Sequence, residues 1–369
     1  MRVLNIINNL GEGGVERVLI DTIRNTYKKV EHTIMIKTDQ NYFSKELNSL
    51  GVPVIQAPSY SMRNFFDHYG FLKKFFEENS NNFDLIHLYC GSLNYYTPIY
   101  LSNKFKIPII IHSHNSSSRS NLLNVSHRII RIYHQLFGTS YNIACSKAAG
   151  EWLFGKNNFE VLLNGIDVNK YQESFLFGRN LRNQLLANTQ SIVIGHVGGF
   201  TKTKNQRYLI EFLEKINVVS DKSIELVLIG DGPLKDEMQN LVKNKHLVNK
   251  VHFLGFQNKI ENFLGLFDIY MMPSLYEGLP LVLLENQAVG TPILASDTID
   301  LSSKVNRNYL VFNLNDNFHQ VYNFFLKLIK IGRVRTDLLG SDYDIKVFSK
   351  KILSLYEYII ENEEDEING

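Results

Sequence analysis

The chain has 369 residues, 44% of them hydrophobic and 21% charged, a balance that excludes disorder over most of its length. That length exceeds one ordinary core and predicts two domains of about 150–200 residues each. Two cysteines, Cys90 and Cys145, exclude a disulfide framework or a cysteine zinc cage, and a net charge of +2 names no partner until it is divided along the chain.

Short apolar runs alternate with helical patterns from the start. Val3–Ile7 reads as a strand, followed by a glycine-rich turn and a helix over Glu16–Asn25. Further strands are expected at His32–Lys37, Asp84–Tyr89 and Pro108–His112. The second half repeats the pattern, with strands at Ile192–Val197, Glu225–Ile229, Val251–Leu254, Ile269–Met272 and Pro292–Ser296. Helices are expected between them at Asn205–Ile216 and Pro233–Val242, the latter with Pro233 at a first helical position. The joint lies near Asn169–Ser191, where strand grammar gives way to the polar, mostly helical GRNLRNQLLANTQ. A last helix aligns Ile345, Phe348, Ile352, Leu355, Tyr356 and Ile359 and is long enough to reach back across that joint. This alternation predicts an α/β protein with parallel sheets covered on both faces, whose ligands bind at the carboxyl ends of the strands. Glu12 and Glu16 stand where a secretory leader needs an apolar run, and Leu85–Asn103 is interrupted by His87, Gly91, Asn94 and Pro98. Neither a leader nor a membrane span is expected, and a cytoplasmic location follows.

Charge is uneven. Residues 85–150 contain no Asp or Glu but hold Lys104, Lys106, Arg119, Arg128, Arg131, Lys147 and five histidines, a composition suited to anions. Glu361–Gly369 carries five carboxylates and no base, the composition of a solvated end.

Several motifs bear chemistry. NNLGEGGVER sets Gly11, Gly13 and Gly14 between strand and helix, where backbone amides and a helix N-terminus suit a phosphate or sugar oxygen. A dinucleotide fingerprint fails there, because Glu16 stands where its third glycine belongs. His112 and His114 end a strand on one face, with no third ligand at metal spacing. Asn164-Gly165-Ile166-Asp167 reads as a turn whose Asp167 caps the next segment. GHVGGFTKTKN places Gly198 and Gly199 after a strand and Lys202 and Lys204 before a helix, where a lysine reaches a diphosphate as a point charge. In PSLYEGLPLVLLENQAVGTPILAS, Glu277 and Glu285 would stand about 12 Å apart along a continuous helix. That exceeds the roughly 5–10 Å of a glycosidase carboxyl pair and suits the length of a nucleotide-diphosphate sugar. Asp342-Tyr343-Asp344 matches a metal-holding D-x-D but precedes a helix without a strand, so it reads as a cap.

Together these segments resemble the GT-B retaining glycosyltransferases of family 4, especially bacterial capsule and exopolysaccharide enzymes. The likeness runs in order through GGVER, HSHNS, ACSKAAGEWLFG, NGID, GHVGGFTKTKN, LVLIGDGPLKDEM, VHFLGF and Glu277–Ser296. It implies two Rossmann-like domains facing each other across a cleft. Residues 1–172 would bind acceptor, with helix 346–362 crossing back to them; residues 173–345 would bind the nucleotide sugar; residues 363–369 form the acidic tail. The resemblance implies that Gly13 and Gly14 close over the donor diphosphate, that His114 lies beside the donor sugar, and that Lys204 neutralises the diphosphate. It further implies Glu277 on the transferring sugar, Glu285 on the ribose, Phe256 near the base, and Gly198, Gly278 and Leu279 in the donor site. Two departures stand out: Gly199 replaces a usual arginine, leaving Lys202 or Arg207 to substitute, and Gly278-Leu279-Pro280 replaces glycine-aromatic-glycine.

The expected activity is metal-independent transfer of a hexosyl or N-acetylhexosaminyl group from a UDP-sugar, with retention and no cofactor beyond that substrate. The expected acceptor is a glycan on a polyprenyl diphosphate, and no nucleic acid partner is expected. An anionic membrane surface is expected to hold the protein through residues 85–150 and the run with Phe65, Phe66, Lys73, Lys74 and Phe75. A non-catalytic sugar-nucleotide-binding subunit, or an epimerase or phosphorylase on the same architecture, remains an alternative.

Overall fold

Aliphatic runs become strands here because helices cover both faces of each sheet, so alternation is unnecessary. The computed structural model describes every residue except Glu12, Met62, 115–120, Asn157, Ala187, Gly278, Thr336 and Gly369, and only the backbone of 121–123 and 364–368. It divides into two units, Met1–Ile166 with Gly340–Gly369, and Asp167–Leu339.

In chain order the first unit comprises β1 (Arg2–Ile6), α1 (Gly14–Thr26), β2 (Glu31–Ile36), α2 (Ser44–Ser49), β3 (Val54–Gln56) and α3 (Phe65–Asn79). It continues with β4 (Leu85–Cys90), α4 (Thr97–Lys104), β5 (Ile109–Ser113), α5 (Asn121–Phe137), β6 (Tyr141–Ala144), α6 (Lys147–Phe154) and β7 (Glu160–Val161). The strands form one parallel sheet in the order β3-β2-β1-β4-β5-β6-β7, so the order reverses between β1 and β4. One core packs Leu4, Ile6, Ile86, Leu88 and Ile109 against Leu72 and Phe76 of α3, and the other packs Ile34 and Ile36 against Leu19, Ile20 and Ile23 of α1.

The second unit runs α7 (Val168–Glu173), α8 (Phe175–Leu185), β8 (Ile192–Val197), α9 (Gln206–Val219), β9 (Ile224–Ile229), α10 (Lys235–Asn244), β10 (Val251–Gly255) and α11 (Glu261–Leu264). Then come β11 (Ile269–Met272), α12 (Leu281–Val289), β12 (Ile293–Ser296), β13 (Tyr309–Phe312) and α13 (Phe318–Ile331). Its parallel sheet has the order β10-β9-β8-β11-β12-β13, with the reversal between β8 and β11. The expected helix at Pro233–Val242 starts later, at Lys235, with Pro233 ahead of the capping residue Leu234.

The chain returns to the first unit as α14 (Ile345–Asn368), which packs on α1 and buries Ile345, Phe348, Ile352, Tyr356 and Ile359. Asp344 caps it, its Oδ1 accepting the Lys346 N–H at 2.9 Å, while Asp342 pairs with Lys351. Asp167 caps α7 by accepting the Lys170 N–H at 3.3 Å. The unit joints fall at 166/167 and 339/340 rather than at 172/173 and 345/346. The cause is a short parallel bridge in which the Ile166 N–H donates to Tyr343 O at 2.8 Å and the Ile345 N–H to Ile166 O at 3.0 Å. Gly165 permits it, since a Cβ there would lie 2.7 Å from the Ile345 backbone.

Candidate functional site

In an open parallel sheet the ligand position is the strand-order reversal, outside the carboxyl ends. In the second unit that point lies between β8 and β11. Val197 ends β8, its carbonyl accepting the buried Tyr270 hydroxyl at 3.1 Å. The Gly198 N–H donates to Ile229 O at 2.9 Å, and Gly230 closes against the Gly198 carbonyl at φ +136°, a conformation and clearance that admit only glycine. Lys204 folds its stem over Gly198, 3.2 Å from where a Cβ would be, and its Nζ reaches Glu277 Oε1 at 2.7 Å.

Two loops are joined around that pair. The Leu275 N–H donates to Thr203 O at 2.8 Å, and the Asn205 side-chain amide donates to Pro273 O at 3.1 Å. Asn205 takes a left-handed backbone (φ 54°, ψ 45°), which Asn tolerates better than branched residues, and starts α9. Gln206 donates to Gly199 O at 3.0 Å, and His196 is locked to Met271 O at 2.9 Å. Burial lowers His196 to about 4, so it stays a neutral ring beside Lys204.

Glu277 and Glu285 are not on one helix. Glu277 bridges to Ile299, and α12 begins only at Leu281 after Pro280, so the continuous-helix spacing does not apply. Glu285 is 3% exposed, and its Oε1 accepts the Tyr171 hydroxyl at 2.6 Å. Leu279, six residues before Glu285, is buried, Phe256 is half-buried just past β10, and Gly278 lies outside the described residues. Tyr171 was invisible as a site residue from sequence; its only signal was an aromatic four residues past Asp167.

Of the two candidate replacements for the arginine, Arg207 is engaged by Glu237 at 2.7 Å and Glu211 at 3.7 Å, whereas Lys202 is exposed. Gly199 has room: a Cβ there meets Asp231 O at an ordinary 3.4 Å.

The first unit holds the other expected residues. Gly13 precedes α1 in extended backbone (φ −75°, ψ 164°), exposed like Gly14, with the Glu16 carboxyl lying over Gly13. Burial raises the Glu16 pKa. His114 is 7% exposed, with no hydrogen-bond partner for either ring nitrogen among the described residues. It lies 4.0 Å from the His112 ring and stacks on Tyr89 at 5.6 Å. Behind it, His112 contacts His87 at 3.2 Å, and His87 contacts the Tyr356 hydroxyl of α14 at 2.6 Å. All five histidines of residues 85–150 are buried, so they contribute no cationic surface, contrary to the expectation. The run at Phe65–Phe75 is divided: Phe65 and Phe66 are exposed, whereas Phe75 packs on the core, and Lys73 and Lys74 pair with Glu77 and Glu78 on α3.

Burial lowers His114 to about 3 and His32 to about 4. Unfolding restores their ordinary basicity, so below about pH 6.5 the unfolded chain binds more protons and stability falls with pH. The melting temperature is expected to drop between about pH 6.5 and 5, each such histidine costing about 1–2 kcal/mol by the lower limit. Calorimetry across that range measures it, and a flat profile would contradict neutral burial.

Comparison with known proteins fits this geometry. Residues 12–170 match the family model Glycosyltransferase Family 4, and residues 178–317 match Glycosyl transferases group 1. A Bacillus subtilis protein named as glycosyltransferase EpsF is 28% identical over 308 residues, covering 81% of this chain and 79% of that protein. The Escherichia coli UDP-Gal:alpha-D-GlcNAc-diphosphoundecaprenol alpha-1,3-galactosyltransferase is 32% identical over 142 residues, 37% of this chain and 36% of that enzyme. The crystal structure of Anabaena HepE with UDP-glucose superposes with a TM-score of 0.80 at 19% identity, covering 97% of this chain and all of that one, which shows a shared fold. With two parallel sheets, each reversing strand order once, and both family models matched in sequence, the chain belongs to the GT-B glycosyltransferases of family 4.

Proposed function

We propose that this glycosyltransferase moves a sugar from a UDP-sugar, with retention of configuration, to a glycan acceptor on a polyprenyl diphosphate, in capsule or exopolysaccharide synthesis. The observation that carries the reading is the Lys204–Glu277 pair, held at 2.7 Å by two joined loops at the β8/β11 reversal. The names of the relatives support the donor and acceptor classes: the E. coli enzyme is named for UDP-Gal and a diphosphoundecaprenol acceptor, and HepE was solved with UDP-glucose.

In this reading Lys204 meets the charge that grows on the departing diphosphate, and Glu277 orients the sugar by accepting its hydroxyls. Front-face attack, with the leaving phosphate taking the acceptor proton, needs no protein nucleophile and gives retention. Glu285, fixed by Tyr171, accepts from the ribose, Phe256 lies near the base, and His114 contacts the donor sugar. The protein then works as a hexosyl- or N-acetylhexosaminyl-transferase without metal, at the cytoplasmic face of an anionic membrane where a polyprenyl carrier lies. Among the described residues no helix is long and apolar enough to cross a membrane. On the acceptor side, a cavity of about 480 Å³ in the first unit is lined by Lys37, Gln56, Ser59 and Phe71. Burial lowers Lys37 to about 8, and its ammonium lies 3.6 Å from the Tyr95 ring.

The test is to offer the purified chain a panel of nucleotide sugars and to identify products and anomeric configuration by NMR. Slow donor hydrolysis alone, and α-linked transfer from an α-donor when acceptor is added, are expected. An epimer, a sugar phosphate, or no donor consumption by the chain alone would overturn the reading. In the same assay Gly199→Arg, which adds a cation where there is room, is expected to lower the donor KM about 3–10-fold. An unchanged or higher KM would contradict the diphosphate's placement beside Gly198.

A further inference from the structure

Helix α5 is inverted relative to an ordinary surface helix. It turns its histidines inward: His127 stacks on Trp152 at 4.5 Å, accepts the Leu93 N–H at 3.2 Å and donates to Trp152 O at 3.0 Å. His134 is bonded to Ser140 at 3.0 Å and to the Tyr96 hydroxyl at 3.3 Å. The opposite face carries Val125, Ile129, Ile132, Tyr133, Leu136 and Phe137, each 50–69% exposed and at helical spacing. An apolar stripe this long on a polar-anchored helix marks an interaction surface rather than stray exposure.

Charge selects the occupant. Residues 85–150 contain no acid, and Arg128 is exposed on α5 itself. Thr139, just past the helix, bonds to Asn103 at 2.9 Å, which brings the exposed Lys104 and Lys106 beside its C-terminal end. At 17 residues α5 is about 25 Å long, with Ile130 packed on the core and its exposed apolar residues along the opposite side, so it suits lying in an interface plane rather than spanning it. We infer that α5 is the element that docks this glycosyltransferase on an anionic bilayer, its aliphatic and aromatic face in the acyl boundary and its cations at the headgroups. The inference rests on the proposed lipid-linked acceptor and names the surface that brings the enzyme to it.

The test is flotation of the full chain with phosphatidylcholine vesicles, with and without phosphatidylglycerol, at low salt. Wild type is expected to float with the anionic vesicles only. The Leu136→Glu/Phe137→Glu double variant is expected to lose partitioning by about 30-fold or more, with its melting temperature and donor hydrolysis unchanged. If that variant misfolds, Arg128→Glu is expected to weaken binding to the anionic vesicles by about 5-fold. Equal flotation of folded variant and wild type, no flotation of wild type, or a wild-type dimer in sedimentation that the variant dissolves would each overturn the proposal. Donor hydrolysis needs no vesicle, so its absence would strike the proposed reaction and leave the docking result standing.

Discussion

Glu277→Gln and Lys204→Met are each expected to lower kcat on the order of 100-fold or more, the usual consequence of removing a partner that acts in the transition state. Lys204 Nζ and Glu277 Oε1 lie 2.7 Å apart, and both side chains are largely shielded, at 22% and 16% exposure. The lysine stem is confined by Gly198, and the glutamate by its bridge to Ile299, so neither charge reorganises freely. A pre-placed cation of this kind stabilises a departing diphosphate more than the intact donor, which raises kcat rather than tightening binding alone. Since each residue positions the other, the double variant should fall little further than the worse single one. Initial rates of donor hydrolysis and transfer measure this; wild-type turnover in both single variants would remove the pair from the mechanism.

The second large effect belongs to Glu285 and has a different kinetic signature. Glu285→Gln is expected to raise the donor KM on the order of 30-fold while kcat changes by no more than about 3-fold, as for an interaction equal in ground and transition states. The buried carboxylate already accepts the Tyr171 hydroxyl at 2.6 Å, which fixes the orientation of its remaining acceptor sites. Tyr171→Phe should therefore raise KM in the same direction by a smaller factor, about 5-fold, and cost about 1 kcal/mol of stability. A fall in kcat with KM unchanged would show that Glu285 acts on the transferring sugar instead of the ribose.

These two carboxylates mark the limit of sequence reading. Their spacing in the chain was visible, and so was the apolar helix behind them, because eight of the nine residues of α12 are buried and the pattern of leucines says so. What spacing could not reveal was that the helix starts only at Leu281, or that Glu285 turns into the protein toward Tyr171, 114 residues earlier. Buried strands such as Ile192–Val197 and Ile269–Met272 were legible to the residue, since short, mostly apolar runs bounded by polar or turn-forming residues have few alternatives. Short strands such as Val54–Gln56 and Glu160–Val161 were not, because at the sheet edge they are half-buried or exposed and too brief for any period. The same blindness explains the histidines. Composition shows five of them in an acid-free stretch, but only packing shows that they are buried and neutral while the aliphatics of α5 face outward.

In the proposed reaction a donor lies along the carboxyl ends of β8 and β11, its ribose at Glu285 and its diphosphate at Lys204. A crystal structure of the chain with UDP tests it most directly. Ribose hydroxyl oxygens are expected within hydrogen-bond distance of Glu285, and a phosphate oxygen on Lys204 Nζ. UDP bound away from the β8/β11 reversal, with the Lys204–Glu277 and Tyr171–Glu285 contacts unchanged and out of its reach, would contradict it.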